Sequence, residues 1–146
     1  MKTFQYNARL EESEIFELLT AYDVQPTQQR IEIAKVLFAR DQHLSADEVL
    51  ARVNADAARV SKATVYNTLG LFARSGLVRE VIVDRSRVFY DPNTRPHHHF
   101  YNVDTGTLTD VDAEQVVLDE LPEPPRGTIP DGVDIIIRVR NSSSDR

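Results

Sequence analysis

The sequence predicts an α+β fold in two parts. An N-terminal winged helix–turn–helix domain occupies residues 1–90, and a small C-terminal α/β domain occupies 97–140. Three observations predict it. Four stretches between residues 11 and 75 repeat their apolar residues at a helical period. From Leu77 onward the pattern changes to β-branched and aromatic runs. Between the two parts, Asp91-Pro92-Asn93-Thr94-Arg95-Pro96 is dense in turn formers and makes 91–96 a hinge.

The first helix spans 11–22, where Ile15, Leu18, Leu19 and Tyr22 form the stripe of a half-buried helix. Pro26 follows in a turn. A second helix runs from about Thr27 to Arg40, with Ile31, Ala34, Leu37 and Phe38 on one face. Ser45-Ala46-Asp47-Glu48 is a capping box, with a hydroxyl at the N-cap and a carboxylate three residues on. It opens a third helix carrying Val49, Leu50 and Val53. Ser61 caps a fourth helix that runs to Ser75 and is stopped by Gly76.

Leu77 to Val83 and Val88 to Tyr90 flank Asp84-Arg85-Ser86-Arg87 as a β-hairpin, the wing. His97 to Val103 and Thr107 to Val111 flank Asp104-Thr105-Gly106 as a second hairpin. Ala113 to Leu121 reads as a short helix, Pro122 to Pro130 as a loop and Val133 to Val139 as an apolar strand. Residues 141–146 read as a disordered tail. Three strands and one helix leave a sheet edge and an apolar face uncovered. Pairing with a second copy covers both, so 97–140 is expected to be a homodimer interface.

Composition limits the chemistry. The 146 residues are 41% hydrophobic and 27% charged, the balance of a folded chain rather than a disordered one. No apolar run approaches the ~20 residues that span a bilayer, and Met1-Lys2-Thr3-Phe4-Gln5-Tyr6 lacks the apolar core of a signal peptide. A cytoplasmic protein with no membrane partner is therefore expected. The absence of cysteine excludes disulfides, thiolate-bound zinc, iron–sulfur clusters and a thiol nucleophile. Any metal must be held by His, Asp, Glu or Tyr. The net charge of −6 is unevenly spread. Residues 24–90 carry ten basic against seven acidic side chains, a net +3; from Asp91 onward there are five against eleven, a net −6.

The basic half carries a face suited to double-stranded DNA. At 100° per residue, Val65, Leu69 and Phe72 line the inner side of the fourth helix, and Lys62, Ala63, Tyr66, Asn67 and Gly70 lie opposite. An ordinary solvated face would carry more Glu and Lys. Asn67 can bond an adenine edge, and a methyl or aromatic edge can meet a thymine methyl. Lys62, near the helix start, suits a phosphate. Arg85 and Arg87 sit in the wing turn, and Arg30 lies in the first turn of the second helix.

The acidic half carries a candidate metal set. In a strand, His97 and His99 point one way and His98 the other. Asp91 precedes them, Asp110 lies on the next strand, and His43 sits before the third helix. Three imidazoles and two carboxylates suit Fe2+, Zn2+ or Mn2+.

Pro26-Thr27-Gln28-Gln29-Arg30, His43-Leu44-Ser45-Ala46, Ala63-Thr64-Val65-Tyr66-Asn67-Thr68-Leu69 and Gly76-Leu77-Val78 resemble the ferric uptake regulator superfamily. Arg87-Val88-Phe89-Tyr90-Asp91-Pro92-Asn93, His97-His98-His99-Phe100-Tyr101 and Ile135-Ile136-Ile137-Arg138-Val139-Arg140 look like its iron response regulator branch. The resemblance covers about residues 20–140. It implies a homodimeric repressor of iron-metabolism genes that binds palindromic operators. Its recognition helix would contain Ala63, Thr64, Tyr66 and Asn67, with Tyr66 at the base edges and Arg30 and Lys62 on the backbone. It also implies a regulatory divalent-metal site made by His43, Asp91, His97, His99 and Asp110. In that branch the triplet His97, His98, His99 is associated with haem.

The chain departs from the superfamily in two places. The first Cys-x-x-Cys pair of a structural zinc would fall at Asn102 and Thr105, so no structural zinc held by four cysteines is expected. A further site needs a histidine at Pro96 and another near the C-terminus, and no histidine follows His99.

Other readings remain. A peroxide- or zinc-sensing member of the same superfamily would use the same ligands. A metal-dependent enzyme could use the His/Asp cluster, although it would leave the helix–turn–helix unexplained. A haem-sensing module could use the helical half to bind protein. The regulator reading makes the chain no enzyme.

Overall fold

A computed structural model describes residues 10–143. The readings made on Met1–Tyr6 and on the last three residues of the tail lie outside them. The chain divides into two compact units between Thr94 and Arg95.

The first unit holds four helices and a hairpin: α1 (Glu12–Ala21), α2 (Gln28–Leu37), α3 (Ala46–Val53), α4 (Lys62–Arg74), β1 (Arg79–Asp84) and β2 (Arg87–Asp91). Each helix starts at a residue that satisfies its first N–H groups. Thr27, Ser45 and Ser61 accept bonds from the third residue of α2, α3 and α4. Glu11 and Glu14 form a reciprocal capping box at α1, as Ser45 and Glu48 do at α3. The apolar stripes converge on one core, in which Leu19, Ile33, Leu37, Val49, Val65, Leu69 and Phe72 are each 0% exposed. Burying each such side chain contributes about 1.5–3 kcal/mol before entropy is counted.

The wing strand begins two residues later than expected. Gly76 takes a φ of 82°, a left-handed conformation that suits glycine. The Leu77 N–H then returns to the Phe72 carbonyl at 3.0 Å. Leu77 and Val78 are thus spent on closing α4 and filling the core, and pairing starts at Arg79, opposite Asp91. Asp91 is the last residue of β2 rather than the first of a free connection.

The second unit is a three-stranded sheet of order β4-β3-β5. β3 (His97–Asn102) is antiparallel to β4 (Leu108–Asp112) and parallel to β5 (Ile136–Val139). The helix expected over Ala113–Leu121 is absent; a single 3-10 turn, Ala113–Gln115, stands in its place. Val116 and Val117 are β-branched, Asp119 and Glu120 would oppose the dipole at a helix C-terminus, and Pro122 biases Leu121 away from helix. No packing offsets these costs, since Val117, Leu118 and Leu121 are 80%, 44% and 56% exposed. The last strand is also shorter than Val133–Val139. The tail is held at its first residue: the Asn141 N–H donates to Asp104 Oδ2 at 2.9 Å, and its side-chain oxygen accepts from Asn102 Nδ2 at 2.9 Å. Among the described residues no helix is long and apolar enough to cross a membrane.

Candidate metal centre and nucleic-acid interface

The first unit assembles one imidazole–carboxylate pair. Leu44 and Tyr90 form an isolated antiparallel bridge, exchanging N–H···O bonds of 3.3 and 2.7 Å. In antiparallel pairing, the residue before one partner lies opposite the residue after the other, so the bridge brings His43 to Asp91. His43 Nε2 lies 3.0 Å from Asp91 Oδ2. Asp91 is fully buried, and its other oxygen accepts the Asn93 N–H at 2.9 Å. A buried carboxylate needs such partners to offset its lost hydration.

The second unit assembles a triad. His99 pairs across the sheet with Asp110, and His97 lies two residues along β3 on the same face. Both Nε2 atoms face Asp110 Oδ1, at 3.4 Å from His97 and 3.3 Å from His99. The rings meet edge to face, with centroids 4.6 Å apart. One ligand atom from each of these three residues lies within 4.8 Å of the others. His97 Nδ1 bonds the Arg95 carbonyl. A carbonyl only accepts, so Nδ1 carries a proton and donates it there, which leaves Nε2 as the nitrogen turned toward Asp110. In the neutral tautomer the Nε2 lone pair and the carboxylate oxygen are two acceptors facing each other, which a cation between them would bridge. Histidine ligands are commonly oriented by such a bond through the second nitrogen. The donor set therefore fits a divalent ion.

His98 lies on the opposite face of β3 and is 7% exposed. Its Nδ1 accepts the Ile135 N–H at 3.1 Å, tying the approach of β5 to the central strand.

The DNA-facing candidates lie in the first unit. Lys62, Ala63, Tyr66 and Asn67 are all exposed on α4, while Val65, Leu69 and Phe72 are buried. Thr64 is half-buried and works in the cap: its N–H donates to Ser61 Oγ at 3.2 Å, and its hydroxyl accepts from the same oxygen at 2.9 Å. The Arg30 guanidinium donates to the Gln25 carbonyl at 3.0 Å. Arg85 and Arg87 are exposed at the wing turn. There the Ser86 hydroxyl and N–H hold the Asp84 carboxyl below its usual range.

Residues 21–121 match the sequence model of the ferric uptake regulator family. The chain belongs to the ferric uptake regulator family. The peroxide-responsive repressor PerR of Staphylococcus aureus is 33% identical over 93 residues, covering 64% of this chain and 63% of the relative. The match thus spans less than two thirds of that relative's length. The ferric uptake regulator of Pseudomonas aeruginosa, solved with manganese, aligns at a TM-score of 0.65 with 26% identity, over 87% of this chain and 97% of that one. The Francisella tularensis regulator, solved with iron, has the same fold at a TM-score of 0.66, with 24% identity over 84% and 95%. The family consists of transcriptional regulators, and its α+β architecture is the one seen here.

Within this family frame, two contributors escaped the sequence. Asp47 reads as a first-turn acid of a capped helix, yet it also bonds the Tyr66 phenol, nineteen positions away. The Arg95 carbonyl, which orients His97, is a backbone group and leaves no residue signature.

Proposed function

We propose that the chain is a metal-responsive, DNA-binding transcriptional repressor of iron-metabolism genes, acting as a homodimer on palindromic operators. His43, Asp91, His97, His99 and Asp110 together hold one divalent ion, Fe2+, Zn2+ or Mn2+. The observation that carries this reading is the pair of His/carboxylate groups, one prepared in the unit with the recognition helix and one in the unit with the sheet. Asp91 and His97 are close in sequence, so the pair and the triad share one short tether. An ion bound by both favours one arrangement of the units over others, which is how a ligand couples to a distant surface. The bound ion supplies positive charge and a preferred ligand geometry, and no bond-making chemistry is required of it. Two recognition helices ~34 Å apart would meet successive major grooves.

A bare ion suits the histidines better than haem does. His97, His98 and His99 are 5%, 7% and 1% exposed, and His98 has committed Nδ1 to Ile135. The similarity to a peroxide-responsive repressor favours a second reading, in which the same ligands hold an ion that reports peroxide.

The test combines elemental analysis, an absorption spectrum and operator binding on the untagged protein, beside a His43→Ala variant. One equivalent of metal, no haem Soret band, and a joint loss of metal affinity and operator affinity in the variant are expected. A change in one affinity without the other overturns the coupling, and a Soret band at one equivalent overturns the bare-ion reading.

A further inference from the structure

The Tyr66 phenol is held at two points. Its hydroxyl donates to Asp47 Oδ1 at 3.0 Å, linking α4 to the first turn of α3. The Lys62 ammonium stands over its ring, 5.7 Å from the centroid. Tyr66 as a whole is 44% exposed, so it is constrained without being buried.

The acid needs an explanation. A carboxylate beside a surface that meets phosphates weakens non-specific attraction. Its place in the first turn of α3 suits the helix dipole, but that role requires no bond to α4. Glu48, not Asp47, completes the capping box.

The consequence for recognition follows from donor and acceptor counting. A phenol has one O–H donor, and here Asp47 takes it. Only acceptor lone pairs remain on Tyr66, and Asp47 Oδ2 is a further acceptor beside them. In the major groove the complementary groups are the exocyclic amines of adenine N6 and cytosine N4, whereas phosphate oxygens are acceptors and carry like charge. The hydrogen bond to Asp47 also raises the phenol pKa, so the acceptor remains a neutral hydroxyl.

We propose that Asp47 is a specificity-determining partner of Tyr66: it accepts the phenol hydrogen bond and presents with it a paired acceptor edge that selects a base bearing an exocyclic amine in each half-site. This rests on the DNA-binding reading above and deepens it.

The test is selection from a random duplex pool by the full-length protein with Mn2+ added. Tyr66→Phe, Asp47→Ala and Asp47→Asn are run in parallel, with circular dichroism to confirm that each is folded. The intact protein should enrich a palindrome with adenine or cytosine at one symmetric position. Tyr66→Phe and Asp47→Ala should lose about fivefold or more of the discrimination there. Asp47→Asn still accepts the phenol proton through its amide oxygen. It should keep part of the preference while binding non-operator DNA more tightly, with a salt slope steeper by up to about one unit. An enriched palindrome that is identical in the intact protein and all three variants overturns the role of Asp47 and leaves the DNA reading standing. Enrichment of no sequence by the intact protein overturns both.

Discussion

His97 and His99 share a strand face with Asp110, and His98, between them, turns to the other side and binds the Ile135 N–H. One strand of three histidines therefore carries two kinds of group, and substitutions should separate them. His99→Ala removes a buried nitrogen that faces Asp110. It should lower metal affinity by more than the ~10–100-fold typical of losing an outer-shell partner. His98→Ala should change metal affinity far less and instead cost about 0.5–1.5 kcal/mol of stability, the net worth of one hydrogen bond. Competition with a chromophoric chelator measures the first effect, and a urea melt the second. Equal loss of metal affinity in both variants would show that the two faces are not chemically distinct. Because bound ligands must be unprotonated, affinity in the intact protein should also fall as pH is lowered.

At the scale of elements, α2, α3 and α4 were legible because each opens on a hydroxyl cap and buries a stripe at helical spacing. The span 113–121 misled for the opposite reason. Its apolar residues recur at roughly helical spacing, but among the described residues of the chain nothing covers them, and Pro122 and two adjacent valines work against a helix. The metal candidates were legible as residue types. The meeting of His43 with Asp91 was less so, because the Leu44–Tyr90 bridge is a single long-range pairing with no periodic trace. That bridge lies directly before the α3 cap, so the start of the helix adjoins the His43–Asp91 pair. Ser45→Ala removes the acceptor for the Glu48 N–H and should cost about 1 kcal/mol. The urea midpoint should fall with an unchanged slope. Ser61→Ala, at the start of α4, should cost a similar amount while leaving metal affinity untouched. Should the Ser45 variant match wild type in the melt, the reciprocal box of Ser45 and Glu48 would carry no stability.

For the whole molecule, the −6 charge is the sum of −3 over residues 1–23, +3 over residues 24–90 and −6 from Asp91 onward, so the basic character belongs to one stretch and not to the whole first unit. An acid group more than a Debye length from phosphate, ~8–10 Å at ordinary ionic strength, is largely screened, so a net negative average does not by itself rule out the proposed operator binding. The sheet unit is instead marked by apolar exposure. Phe100 and Ile137 are paired neighbours on one sheet face, at 37% and 39% exposed, and Val117 and Ile129 reach 80% and 89%. Exposed apolar surface gathered in one small unit is the signature of an interface, and a second copy covers it in the proposed homodimer. The intact protein should sediment as a dimer at micromolar concentration. Phe100→Asp and Ile137→Asp should each shift it toward monomer and reduce binding to a palindrome toward that of a single half-site. Chelator should strip the sensing ion without dissociating the dimer. The β3–β4 turn is held by Asn102, whose side-chain oxygen accepts the N–H groups of Asp104 and Thr105 at 2.9 and 3.1 Å and whose amide donates to Asn141. A monomer formed on chelation would instead mean that metal, not packing, joins the subunits.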